Sequence, residues 1–335
     1  MRRAVSFAVA AVVLLGGAPA GGAHAAGEHD PLDDARKAAE QTPFSGSVTL
    51  QWRDASVLHQ DQLVVQGAHG TLLAEGRRSA MAVGDERLLY SPGGGWQELW
   101  PSGLGAASRP DLDDAYVVRA AGTATVAGYA TDVVEIVKAG AVRERLDLEA
   151  NTKLLLQRRQ YDSHGVLERA FTFDRIKIGD QPTTAPTTPL APKQAGPRAV
   201  AMRSLPGSER EPAQLAAGYR RLGVYSQGDV VQMVYSDGLY DLSLFQQDGG
   251  LDPGDLPSPR QTVRMEGHAA WTYSWPGGEA ITWTAGHTVY TLMGDVPPDE
   301  LRTVAGSVTV HRSTSVAHRL RQACRVLVES FRGGR

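Results

Sequence analysis

The sequence predicts an α+β protein that is mainly antiparallel β, with a larger curved sheet followed by a smaller sheet domain carrying a helix. Three observations lead there. The 335 residues exceed an ordinary domain of roughly 100–200, so two folded units are expected. Apolar residues make up 42% and charged residues 21%, an ordinary globular balance that excludes wholesale disorder. Short apolar runs of period two recur between clusters rich in the 37 glycines and 19 prolines.

The elements follow in chain order. Arg2 and Arg3 precede an unbroken apolar run, Phe7 to Leu15, and small residues end in Ala23-His24-Ala25. That pattern is a secretory signal with cleavage after residue 25, its apolar run being too short to span a bilayer. No cysteine stands at the cleavage point, so a soluble extracytoplasmic protein is expected rather than a lipid-anchored one. Asp30 and Pro31 then predict an N-cap and first turn of a helix reaching about Gln41. From Gly46 to Ile178 the pattern alternates: Val48, Leu50 and Trp52 against Thr49 and Gln51, and later Phe171, Phe173, Ile176 and Ile178. Strands at this spacing make an antiparallel meander, as an open curved sheet or a barrel. Asp111 to about Ala121, acidic at its start, is compatible with a helix interrupting it. Residues 26–180 are therefore one domain, and the Pro/Thr-rich stretch 181–200 is a linker. Residues 201–312 form the second domain, with strands at Val230–Tyr235, Tyr240–Phe245, Thr262–Met265, Ala270–Trp275, Ala280–Thr284 and Thr288–Met293. A helix starting at Pro297-Pro298 closes it. The tail 313–335 reads as a basic amphipathic helix whose arginines suit a peripheral contact with anionic headgroups.

The chemistry is mostly exclusion. A net charge of −3 offers no basic field for nucleic acid. The single Cys324 excludes a disulfide framework, a thiolate zinc centre and an iron–sulfur cluster. Neither G-x-S-x-G, S-x-x-K nor H-E-x-x-H occurs. Asp111, Asp113 and Asp114 lack the glycine and terminal glutamate of a calcium loop, and the 248–255 turn is a single copy. No catalytic residue, metal or cofactor is assigned, and a binding protein is expected, not an enzyme. The six tryptophans read first as core and cross-strand aromatic pairs. A curved sheet flanked by short helices can also cover an apolar cavity.

The second domain carries a resemblance. Val230 to Phe245, which includes Tyr235-Ser236-Asp237-Gly238-Leu239, resembles the strand–turn–strand of the MucB/RseB family of periplasmic sigma-factor regulators. Val289 through Gly294-Asp295-Val296-Pro297 is similar to that family's later strand running into its last helix. In the first domain, Thr125 to Tyr129 and Asn151-Thr152-Lys153 resemble two family turns, with Tyr129 in place of an arginine and Lys153 in place of a glycine.

The resemblance implies a half-barrel like that of the lipoprotein carrier LolA, followed by a smaller sheet domain. It implies a regulator that binds the extracytoplasmic segment of a membrane anti-sigma factor and controls its proteolysis in response to envelope lipid or stress. Partner contact is then expected at Tyr235, Ser236, Asp237, Gly238, Leu239 and Phe245, and a lipid cavity at Val48, Leu50 and Trp52. The alternative is an extracytoplasmic lipid or lipoprotein carrier, in which the cavity is the whole function.

Overall fold

The computed structural model describes residues 30–68, 71–76, 79–83, 86–91, 95–98, 115–179, 198–199, 213–227, 230–251, 256, 260–265, 268–286 and 288–308. The expected signal peptide, nearly all of the linker, and the C-terminal helix with Cys324 lie outside the described residues. The first helix, α1 (Pro31–Gln41), starts as the sequence predicts. Asp30 caps it by accepting the Leu32 N–H at 2.9 Å, and Pro31 occupies the first turn, where a missing N–H costs nothing.

Eleven antiparallel strands follow. Six run outward from the centre: β1 (Phe44–Asp54), β2 (Val57–Ala68), β3 (Thr71–Gly76), β4 (Ser79–Val83), β5 (Glu86–Ser91) and β6 (Gly95–Glu98). Five run back from the opposite edge: β7 (Val117–Val126), β8 (Tyr129–Lys138), β9 (Ala141–Glu149), β10 (Leu155–Tyr161) and β11 (Leu167–Ile178). The two halves meet where β1 pairs with β11, from Phe44 opposite Ile178 to Trp52 opposite Arg169. The sheet stays open, with β6 and β7 as its edges. Along β1 the buried Phe44, Val48, Leu50 and Trp52 share one phase, and Ser47 is buried out of phase beside a bulge at which β11 carries the extra residue, Asp174. Where a helix was compatible with the sequence up to Ala121, β7 begins at Val117. Residues 111–114 lie outside the described residues and Ala115 is helical, so only the later part of the expected helix is corrected: the β-branched Val117 and Val118 pair with Val137 and Ile136 of β8.

The second sheet has eight strands: β12 (Arg198–Ala199), β13 (Arg220–Gln227), β14 (Val230–Ser236), β15 (Asp241–Asp248), β16 (Gln261–Met265), β17 (His268–Trp275), β18 (Gly278–Ala285) and β19 (Thr288–Gly294). Their order, β12-β13-β14-β15-β19-β18-β17-β16, brings the last strand into the centre beside β15. All six predicted strands are present, and β13 and the two-residue β12 are added to them. The β13 pattern, Arg220-Arg221-Leu222-Gly223, hides a register shift that removes simple alternation. The closing helix, α2 (Pro298–Ser307), begins with proline and buries Glu300, Leu301, Val304 and Ala305. Trp283 is 1% exposed and stacks on its cross-strand neighbour Tyr290 at 5.3 Å, the aromatic pairing expected of it.

One apolar cluster crosses from sheet to sheet. Tyr116, Val134, Ile136, Leu146 and Leu148 pack in it with Leu239, Tyr240, Val296, Leu301 and Val304. A second cluster fills the curve of the first sheet, around Val48, Leu50, Leu63, Val65, Phe171 and Phe173.

Candidate functional site

The seam between the two sheets holds the densest polar chemistry among the described residues. It is built from two short segments of the second domain, and both are segments that stood out in the sequence.

The first is the turn between β14 and β15. Gly238 has φ 101, a conformation that favours glycine, and it lets the chain reverse within four residues. Asp237 organises that turn through one oxygen, Oδ1, which accepts the N–H groups of Leu239 at 3.2 Å and Tyr240 at 2.9 Å. Its other oxygen faces the first domain. Tyr116 Oη donates to Oδ2 at 2.5 Å and Lys138 Nζ at 2.6 Å. The lysine also donates to Glu300 Oε1 of α2 at 2.9 Å and to the Ala217 carbonyl at 3.2 Å. It lies 5.1 Å from the centre of the Tyr116 ring and 5.7 Å from that of Tyr219, which adds cation–π attraction. Arg143 completes the group by pairing with Glu300 Oε2 at 2.5 Å. Two cations of the first domain thus neutralise two carboxylates of the second. Burial, then the Asp237 charge, push the Tyr116 phenol well above its ordinary range, so it stays a donor.

The second segment is Gly294-Asp295-Val296-Pro297. Glu144 and Arg158, both buried, form a two-pronged pair at 2.7 and 2.6 Å on neighbouring strands β9 and β10. Gln160 links that pair to the second domain, donating to Glu144 Oε1 at 3.3 Å and to the Asp295 carbonyl at 2.6 Å. Arg169 of β11 donates to Gln160 Oε1 at 2.6 Å and to the Val296 carbonyl at 3.1 Å. The Asp295 side chain accepts the Asp241 N–H at 3.0 Å through Oδ1, while the buried Oδ2 has no hydrogen-bond partner. Burial, reinforced by the Asp241 charge, pushes its carboxyl up to about 7 despite Arg158. The close approach here depends on Gly294, where a Cβ would run into the Asp241 carbonyl.

Tyr235, Ser236, Asp237, Gly238 and Leu239 are all buried, and Phe245 is half-buried. Asp237 and Leu239 face the first domain, and Ser236 Oγ closes the turn by donating to the Tyr240 carbonyl at 3.0 Å. Contact between a partner and the Asp237 or Leu239 side chain requires the two domains to part. Val48 and Leu50 are buried in the cluster that fills the first sheet, and Trp52 stacks on His59 at 5.4 Å. Sequence reasoning missed Tyr116, Lys138, Arg143, Glu144, Arg158, Gln160, Arg169 and Glu300. A signal was present: Arg143-Glu144-Arg145 and Gln157-Arg158-Arg159-Gln160 place polar residues in both phases of their strands. One of the two phases must then be buried with partners.

Among the described residues, no three His, Cys, Asp or Glu side chains are placed to hold a metal ion, and no helix is long and apolar enough to cross a membrane. Residues 32–194 match the family described as the MucB/RseB N-terminal domain, a segment extending past residue 180. Comparison with curated proteins gave no match. Among solved structures, the Pseudomonas aeruginosa MucA/MucB complex is similar at 16% identity and TM-score 0.49, covering 84% of this chain and 98% of that one. A structure of MucB with the periplasmic part of MucA gives 17% and 0.48, covering 84% and 97%. A LolA superfamily protein from Nitrosomonas europaea gives 8% and 0.21, covering 82% and 96%. On that family match, the first domain of the chain belongs to the MucB/RseB family.

Proposed function

We propose that this protein is an exported regulator of an extracytoplasmic-function sigma factor. It binds the extracytoplasmic segment of a membrane anti-sigma factor and controls that factor's proteolysis in response to envelope lipid or stress. The observation carrying this reading is the family match over residues 32–194. The solved MucB complexes hold MucA, and the reading carries that kind of partner over to this chain. No catalytic step is assigned.

The mechanism is linkage. The Tyr235–Phe245 segment is proposed as the partner's docking region, and in the described arrangement it is engaged by Tyr116 and Lys138. A partner that binds the parted arrangement is favoured by anything that weakens the seam, and it weakens the seam in turn. A lipid held at Val48, Leu50 and Trp52 would enter by displacing the packing around them, and its differential affinity sets how far it shifts the balance. The test is affinity capture of the tagged mature protein from its own cell envelopes, with bound proteins and lipids identified together. A single-pass membrane protein encoded beside a sigma factor is the expected catch. Lipid or lipoprotein cargo without such a partner overturns the regulator reading in favour of a carrier.

A further inference from the structure

Where β11 and the turn before it face β18 and α2, the two domains enclose a cavity of about 100 Å³. A buried water needs roughly 10–15 Å³ on such a measure, so this space suits a polyatomic group. Five carboxylates line it (Asp54, Asp162, Glu168, Glu279 and Asp299) against one guanidinium, Arg302.

Three of the five have structural work. Asp162 accepts the N–H groups of His164 and Val166 at 2.9 and 2.7 Å. Asp299 accepts from the Ser163 N–H and hydroxyl at 3.2 and 2.5 Å, and Asp54 accepts from the Gln261 amide at 2.5 Å. Glu279 differs. It is 2% exposed, and its Oε2 has no hydrogen-bond partner. Asp299 Oδ1 is likewise buried and unpartnered. The Arg169 guanidinium is engaged by Gln160 and the Val296 carbonyl. Arg169 and Arg302 therefore act on Glu279 only through their fields. Burial outweighs them, helped by the charges of Glu168 and Asp54, and pushes the Glu279 carboxyl up to about 7. A buried carboxyl with an unmet acceptor, walled by further acids, lacks a donor-bearing cation.

The shape of the site chooses among cations. No three carboxylates converge on one point as a metal would demand. A guanidinium instead presents five N–H donors in a planar fork and can serve separated carboxylates at once. We propose that this interdomain cavity is a binding site for a single guanidinium group, with Glu279 as its principal acceptor and Glu168 as a second. The group belongs either to an arginine of a polypeptide partner or to a small guanidino compound, and the site does not depend on the anti-sigma reading.

The test is calorimetric titration of the full mature protein at pH 7 with N-acetylarginine methylamide, its neutral citrulline isostere, calcium chloride, and a short arginine-containing peptide. Saturable binding of the arginine amide and none of the citrulline amide is expected. Glu279→Gln, which keeps the shape of the protonated acid, should weaken binding about tenfold or more, and Glu168→Gln less, both with thermal unfolding no lower than that of the parent protein. Much tighter binding of the peptide assigns a polypeptide source, and equal binding a small compound; either supports the site. Equal binding of both amides, no binding of either the arginine amide or the peptide, an unchanged affinity in Glu279→Gln, or Glu279-dependent binding of calcium alone overturns the assignment.

Discussion

At the scale of single residues, Lys153 sits in the left-handed region at φ 64, where the related turn usually carries glycine. It is held there by donating to Asp132 Oδ2 at 2.6 Å and to the Ala150 carbonyl at 2.8 Å. The ion pair is only half-buried and worth little, whereas a side chain in that conformation costs about 1–2 kcal/mol. Lys153→Gly is therefore expected to raise unfolding stability by up to about 1 kcal/mol, after the entropy cost of glycine; a loss in urea titration would contradict this. Ala139-Gly140, joining β8 to β9, has φ 50 and 83, the signature of a type I′ turn. Asparagine suits the first of those positions better than alanine. Ala139→Asn should stabilise by about 0.5–1 kcal/mol in the same titration, and the flanking Lys138 makes it a check that the seam tolerates the change.

At the scale of elements, strands and helices were largely legible and the seam was not. Asp30-Pro31 announced α1, and period-two runs announced most strands, because those signals are local. The Ser236-Asp237-Gly238 turn was legible as a turn, but its outward carboxyl oxygen was not, since its partners Tyr116 and Lys138 lie 121 and 99 residues away. Likewise Arg143 and Glu300, 157 residues apart, look in sequence like two solvated charges. Burial with an exact counterpart is a property of the assembled sheets and not of either strand. Removing one member of such a group exposes the cost of the others. Lys138→Met leaves Asp237 without its cation and Glu300 with Arg143 and the Tyr219 hydroxyl. Breaking a buried pair costs about 3–5 kcal/mol, and the partial exposure of this lysine places its loss near 2–3 kcal/mol. Urea unfolding of the variant should separate into two transitions as the domains lose their coupling; a single transition at the native midpoint would refute the seam's role.

On the scale of the whole molecule, two carboxyls near the seam titrate close to neutrality. Asp295 and Glu279 are each pushed up to about 7 by burial, against about 4 in an unfolded chain. Between those values the folded protein binds more protons than the unfolded one. Stability is then highest on the acid side of this window and falls as pH rises through 7. Thermal unfolding at pH 5.5 should exceed that at pH 8 by several degrees, corresponding to about 1–3 kcal/mol. Asp295→Asn, which keeps the acceptor for the Asp241 N–H, should flatten the dependence and stabilise the protein at pH 8. An undiminished slope would assign the effect elsewhere. The pairing of β1 with β11 has a consequence in time. A chain that emerges amino end first releases Phe44 long before Ile178, so the central ladder cannot zip until the whole first domain is out. Until then the inner edge of β1 stays open to any stray strand, while the other nine pairings, all between successive strands, can form as the chain emerges, so the middle ladder closes last.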